Sequence, residues 1–327
     1  MTNKNRKNYL LTCAAVVLLS AISCFAGGIL QAVCGILIAA LLGLQTVKYH
    51  YGYVSATVSL VFLTPLVITA LLSDAAFGQS IVYTALLTVP VILMGLTLGF
   101  AANIKLSYYK TVSLLALIYL IGSLTNMKIL SSASPAFRLE NMIADSVGQL
   151  QTILNSAYGS NPEMIDPILS ALGEIAKTTL TLAPAIFCLL SLLLAFLSIT
   201  LFKAISVKQQ SDMSFWPSFC KLRADRISSV LFLVIFILNV FSPEGLFADV
   251  TLNVTVILCG IFFLFGLSYL DWKMRIRGIK RMARRLIIIA CIPLCTSFFM
   301  LPLLILVSLG IVDGLFDLRT RKPPKAL

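Results

Sequence analysis

Apolar runs long enough to cross a bilayer alternate along the chain with short polar segments. A hydrocarbon core about 30 Å thick calls for about 20 apolar residues per helix, within a range of roughly 17–25. Runs of this kind occupy residues 9–25, 29–47, 53–72, 80–102, 111–130, 178–202, 227–241 and 250–270, and a longer stretch covers 286–312. Each must be helical, because an isolated strand in lipid leaves its backbone groups unpaired. The pattern predicts an all-α fold, a polytopic transmembrane helix bundle of eight or nine spans.

Between the fifth and sixth runs the period changes. Leu139, Met142, Ile143, Val147, Leu150, Ile153 and Leu154 recur at helical spacing, opposite Arg138, Glu140, Asp145, Gln149 and Gln151. After Tyr158-Gly159-Ser160, Asn161 reads as an N-cap with Pro162 in the first helical position and Glu163 in the first turn. Ile165, Ile168, Leu169, Leu172, Ile175 and Ala176 then carry an apolar stripe into the sixth run. An extracytoplasmic amphipathic helical hairpin is expected, either packed at the interface or lying over the mouth of the bundle. The domain organisation expected is a five-helix membrane half at 1–130, the hairpin at 131–177 and a second membrane half at 178–327 with a basic loop and tail.

The final stretch is less regular. Pro293 and Pro302 interrupt it, and proline breaks the helical hydrogen-bond ladder. Two readings stay open, a re-entrant pair of half-helices and a single tilted span. The first run also has a second reading, since a basic start and Ala21-Ile22-Ser23-Cys24 resemble a lipoprotein signal. The second run follows almost at once, as in a tight helical hairpin, which favours a span.

Composition agrees with lipid as the solvent. Apolar residues make up 59% of the 327 positions and charged residues 12%, against roughly 45–50% and about 25% in soluble domains. Mean hydropathy is +0.98. The formal charge of +12 comes from cations concentrated in alternate loops: Lys4, Arg6 and Lys7; Lys48; Lys105 and Lys110; Lys203 to Arg226; and Lys273 to Arg285. By the positive-inside rule these loops and the N-terminus face the cytoplasm of a plasma membrane. The intervening loops carry Asp74, Glu140, Asp145, Glu163, Asp166, Glu174, Glu244 and Asp249. Cations so placed are explained by the lipid bilayer and its anionic headgroups, and nucleic acid is not expected as a partner.

Candidate chemistry is sparse. No Gly-rich loop ends in Gly-Lys, so the chain should not hydrolyse ATP unaided. His50 is the only histidine, and an anchoring role suits its aromatic surroundings. No metal site, cofactor or catalytic triad is expected, and the chain does not read as an enzyme. No ionisable residue lies near the middle of a run, which disfavours proton coupling. The polar residues at depth are Gln31, Asn103, Thr125, Asn126 and Asn239, suited to a neutral ligand or to bonds between helices. Of these, Gln31, Thr125, Asn126 and Asn239 are the candidate substrate-binding residues. Gly35, Ala39 and Gly43, together with Gly95 and Gly99, are candidate helix-packing positions, within the chain or against a partner. Lys273, Arg275, Arg277, Lys280, Arg281, Arg284 and Arg285 form the candidate membrane-surface or partner contact. If that segment is helical, Ile276, Ile279, Ala283 and Leu286 share one face. Asp271, Asp313 and Asp317 stand at helix ends, where pairing with Arg275 or Arg319 is the ordinary explanation.

Three stretches carry a resemblance: Gly95-Leu96-Thr97-Leu98-Gly99 followed by Lys105-Leu106-Ser107, the amphipathic insertion before the sixth run, and the ending from Leu309-Gly310 to Leu318-Arg319. Together they resemble the YybS-like family of bacterial membrane proteins. That family is distantly similar to the S components of energy-coupling factor vitamin transporters. The resemblance implies a bundle that captures a small molecule from outside and relies on a separate transmembrane coupling subunit and ATPases. S components dock through an Ala-xxx-Ala face on the first span, a spacing that Ala14, Ala15 and Ala21 do not reproduce, and they generally have six spans. The expected function is a small-molecule binding or transport component. The alternative is a scaffold or assembly factor that recruits a cytoplasmic partner through its basic loops.

Overall fold

The computed structural model describes residues 3–72, 77–158, 162–209, 212–242, 244–297 and 300–319. Eleven α-helices and two 3-10 turns, with no strand, make up these described residues. The helices are α1 (Asn3–Phe25), α2 (Gly28–Lys48), α3 (Tyr51–Leu72), α4 (Phe77–Asn103), α5 (Tyr108–Ala133), α6 (Leu139–Tyr158), α7 (Pro162–Lys208), α8 (Arg226–Val240), α9 (Leu246–Ile276), α10 (Arg281–Ser297) and α11 (Met300–Phe316). Seven of them are long and apolar enough to cross a membrane, namely α1 to α5, α7 and α9. The expected eight or nine is thus seven by length and composition. α8 spans only 15 residues, and the apolar part of the last helix is shorter than a full span.

The chain divides into two compact units. One comprises residues Met1–Leu172 and Leu190–Trp216, the other Gly173–Leu189 and Pro217–Leu327. In the first unit α2 is the central helix, packed against α1, α3 and α4. Val16, Ile38, Leu42 and Val61 form its core. The small residues of α2 and α4 make this packing close. A Cβ on Gly43 would lie 2.9 Å from Leu98 Cβ and 3.1 Å from the Gly95 carbonyl oxygen, and one on Gly95 would lie 2.6 Å from Leu42 Cβ and 3.0 Å from Ala39 O. Gly99 meets Thr46 and the Gly43 carbonyl in the same way, and Gly35 faces Val91. The two small-residue motifs therefore meet one another inside the chain, where missing side chains let the backbones approach.

The turn from α4 to α5 contains Lys105 in the left-handed region, with φ 52°. The Leu106 amide reaches back to Ala101 O at 2.8 Å and closes the helix end. The buried Trp216 donates its indole N–H to Leu106 O at 2.9 Å, and Lys203 Nζ donates to Trp216 O. The stretch that leaves α7 is thereby fastened to the α4–α5 turn.

The second unit is organised by α9 and α11. Phe262 and Val307 pack with Phe232 of α8 and Ala224, and Leu267 packs with Leu306. A Cβ on Gly310 would meet the Phe262 carbonyl and lie 3.1 Å from the Gly266 amide nitrogen, while one on Gly266 would run into the Leu306 backbone. Glycine at both positions is what permits this crossing.

In the stretch after the basic connection the described residues are helical over α10 and α11, with Pro293 within α10 and Pro302 within α11, and residues 298–299 between them lie outside the described ones. Two expectations change at this level. The basic segment is not one helix. α9 ends at Ile276, Gly278 takes φ +73°, and the Ile279 amide bonds back to Met274 O at 3.1 Å. A left-handed glycine here closes the carbonyl end of α9. Finally, the second amphipathic segment is no separate helix but the start of α7, which runs unbroken for 47 residues. At about 1.5 Å per residue it is about 70 Å long, more than twice a hydrocarbon core. Asn161 and the residues around it lie outside the described residues. The preceding α6 is amphipathic, and Met142, Leu150 and Ile153 are exposed.

These crossings predict a graded response to added methyl groups. Gly266→Ala and Gly310→Ala should each destabilise the detergent-solubilised protein by about 1–3 kcal/mol, because the backbones cannot separate locally. Gly173→Ala, where a Cβ meets nothing within 4 Å, should leave the thermal midpoint unchanged or raise it, since alanine favours helix.

Candidate functional site

Proline within an apolar helix sets the first requirement. Pro90 of α4 has no N–H to offer the Leu86 carbonyl, which in apolar surroundings must find another donor. Asn126 of α5 supplies it, with Nδ2 3.0 Å from Leu86 O. Gly122, one turn earlier on α5, makes room for the proline ring, since a Cβ there would lie 2.8 Å from Pro90 Cγ. Asn126 is thereby placed as a bond between helices. Of the other polar candidates, Gln31 is half-buried in α2, while Thr125 and Asn103 are exposed.

A related arrangement lies in the second unit. Pro184 lies within α7, where its missing N–H leaves the Leu180 carbonyl without a helical donor, and Asn253 of α9 bonds the next backbone pair along. Its Oδ1 accepts from the Ala185 amide at 3.0 Å, and its Nδ2 donates to Thr181 O at 2.8 Å. In an uninterrupted helix those two backbone groups would bond to each other. Nδ2 also donates to Asp249 O at 2.8 Å. Close by in the chain, Thr251 Oγ1 lies 3.4 Å from Asn239 Oδ1, and Thr255 Oγ1 donates to Thr251 O at 2.7 Å. Asn239, expected as a site residue, thus joins a neutral amide and hydroxyl group between α8 and α9. Asn253 was not foreseen. The signal available for it was Pro184 in one apolar run and an asparagine in another, but only their pairing in space connects the two.

Gln45, also unforeseen, is wholly buried in the first unit. Its Nε2 lies 3.8 Å from Cys13 Sγ, which is 3.5 Å from Thr57 Oγ1. Tyr9 donates its hydroxyl to Tyr53 O at 3.1 Å beside the same threonine. His50 lies at the start of α3, where its Nδ1 accepts from the Gly52 amide at 3.4 Å.

Charge is gathered at one end of the second unit. Arg319 is 8% exposed and Asp313 1%, with Nε and Oδ2 2.8 Å apart. The remaining guanidinium nitrogens reach Cys220 O at 2.6 Å, Ser268 Oγ at 3.3 Å and Leu222 O at 3.0 Å. Ser268 Oγ lies 2.7 Å from Phe219 O and 2.6 Å from Leu222 O. One arginine and one serine therefore hold the 3-10 turn Phe219–Lys221 against α9 and α11. Asp225 then caps α8 by accepting from the Ser228 amide at 3.2 Å, and hydrogen bonds from the Ser228 hydroxyl and then its amide hold the carboxyl below the usual carboxylate range. Arg223 pairs with Asp317. The pairing of Arg319 with Asp313 was expected, but its burial was not.

The basic connection splits into two parts. Arg284 bonds Asp271 at 3.0 Å, in the place expected for Arg275, which instead lies 3.5 Å from Cys220 Sγ. Lys273 stands 5.9 Å over the Tyr269 ring. Arg277, Lys280, Arg281 and Arg285 are exposed, alongside the exposed Met282, Leu286 and Ile289. The described residues contain no group of three or more His, Cys, Asp or Glu able to hold a metal.

Comparison with known proteins gives one match. The profile of a family described as "Predicted membrane protein (DUF2232)" matches residues 13–314. No curated protein and no solved structure matches the chain.

Two mutational outcomes follow from this geometry. Asn126→Leu should cost about 1–3 kcal/mol by stranding the Leu86 carbonyl. In a Pro90→Ala background the restored N–H meets that carbonyl, so the cost should largely vanish, a coupling that thermal denaturation of the four variants measures. Arg319→Met should cost about 3–5 kcal/mol by leaving Asp313 buried and unpaired, and Asp313→Leu added to it should recover much of the loss in the same assay.

Proposed function

The chain belongs to the DUF2232 family of predicted membrane proteins, and on that footing we propose that it is a multi-pass component that binds a small neutral molecule and takes part in its transport. The observation that carries this reading is α7 beside Pro184, where one backbone N–H and one C=O are met by a single side-chain amide within an apolar run. Backbone at membrane depth that departs from helical bonding is tolerated where it is buried in protein or lines a cavity. Interrupted helices of this kind are where membrane transporters place their binding sites. The side chains that α9 bonds toward α7 and α8, Asn253 and Thr251, are an amide and a hydroxyl, which favours a neutral ligand over an ion.

The chemistry is binding rather than catalysis. The sequence has no nucleotide-binding loop, so energy for transport would come from a separate transmembrane coupling subunit and its ATPases, as the resemblance to S components implies. The distribution of cations supports an N-terminus and an α9–α10 connection on the cytoplasmic side of a plasma membrane. The α6 helix and the start of α7 then lie on the outer side, where an amphipathic pair suits a vestibule.

One observation favours a second reading, a scaffold that recruits a cytoplasmic partner. Arg277, Lys280, Arg281 and Arg285 are exposed beside apolar side chains, whereas their neighbours Arg284 and Lys273 are engaged within the unit.

Native mass spectrometry of the protein solubilised from its own host separates these readings. The transport reading expects a retained small molecule, lost on denaturation, and fails if the released mass is only lipid. The scaffold reading expects a protein partner that is lost when Arg277, Lys280, Arg281 and Arg285 are changed to glutamine.

A further inference from the structure

We propose that the opening in α7 between Thr181 and Ala185 is a binding slot for a carboxamide, lactam or ureide, with Asn253 as the resident stand-in for that group. The inference rests on the small-molecule reading above and names the chemistry its ligand would carry.

The two helical backbone groups in the opening are one donor and one acceptor, the Ala185 N–H and the Thr181 carbonyl. Asn253 meets both at once, with Oδ1 3.0 Å from the Ala185 nitrogen and Nδ2 2.8 Å from Thr181 O. A group that replaces it must place an acceptor and an N–H side by side, as an amide does. A ketone, ether or alkyl group leaves at least one of the two unpaired in a buried setting, which should weaken binding by roughly tenfold or more. Ala185 is fully buried, so water does not stand in for the missing partner.

The pair of backbone groups also selects against charge. The third partner of Asn253 is the backbone carbonyl of Asp249, at 2.8 Å. A carboxylate offers no donor to Thr181 O, and an ammonium offers no acceptor to the Ala185 N–H. The bond to Asp249 O, on Asn253's own helix, also gives Nδ2 a partner when the side chain leaves the slot. The clamp at Pro90 differs in kind, since Asn126 gives a single bond to a lone carbonyl. Of the two, the α7 site offers both halves of an amide pair.

The test uses wild-type protein in lipid nanodiscs and two probes of nearly the same shape. 2-Pyrrolidinone carries the adjacent N–H and C=O, whereas N-methyl-2-pyrrolidinone lacks the donor. The slot predicts that 2-pyrrolidinone alone shifts the thermal midpoint saturably and alters hydrogen exchange in the peptide covering residues 181–189. Asn253→Ala, which removes the tethered competitor, should bind the same probe at least about tenfold more tightly. Equal responses to both probes, no response in the wild type, or binding confined to Asn253→Ala would each overturn the proposal. If Asn253→Ala does not fold, the wild-type comparison decides alone. Native mass spectrometry keeps this apart from the functional reading. A retained host molecule without an amide-type group sinks the slot and leaves the transport reading standing. A selective wild-type response in a protein that retains no host molecule supports the slot while removing support from that reading.

Discussion

Every backbone N–H and C=O in an apolar medium needs a partner, and the structure is arranged around the places where proline removes one. A continuous helix satisfies its own groups, so most of the long runs need nothing from their neighbours. At Pro90 and Pro184 that self-sufficiency ends. At Pro90 an asparagine from another helix meets the orphaned carbonyl, and beside Pro184 one meets the neighbouring N–H and C=O, so in each case the position of that helix becomes fixed relative to the proline. A local defect in hydrogen bonding is thereby converted into a specific contact between helices. The same exchange places polar groups inside the second unit without introducing charge.

Close approach supplies what hydrophobic burial does not. Lipid tails are as apolar as leucine, so helices gain little merely by hiding from them, and contact depends on fit. In the first unit Gly43, Gly95 and Gly99 bring α2 and α4 to backbone distance, and in the second Gly266 and Gly310 do so for α9 and α11. These crossings fix the helices that present Asn253 and the buried Ser268. Packing and polar chemistry are therefore not separate features of this protein, since the second is positioned by the first.

Charge follows a different rule. It is held where helices end, and it is used to fasten short connections. Arg319 binds two loop carbonyls and a buried carboxylate, so the segment from Phe219 to Asp225 is tied down by directional bonds rather than by apolar burial. A guanidinium suits this task because its planar fork offers several donors at fixed angles. The exposed cations of the α9–α10 connection are left for lipid or a partner, while Arg284 is drawn in by Asp271.

The sequence by itself determined the helical character of the chain, its apolar runs and the small-residue motifs, because these depend on local period and on composition. It treated the basic segment from Lys273 to Arg285 as one face if helical, and Gly278, which carried no reading of its own, divides that segment. Only the tertiary structure decided that Gly43 meets Gly95, that Arg284 rather than Arg275 pairs with Asp271, and that Asn253 enters α7. Those choices join residues far apart in the chain, from 13 positions for Arg284 and Asp271 to 68 and 72 for Asn253 with Ala185 and Thr181. Local pattern shows that a broken helix needs a donor and an acceptor. Which side chain supplies them depends on how the helices cross, and that is a property of packing in three dimensions.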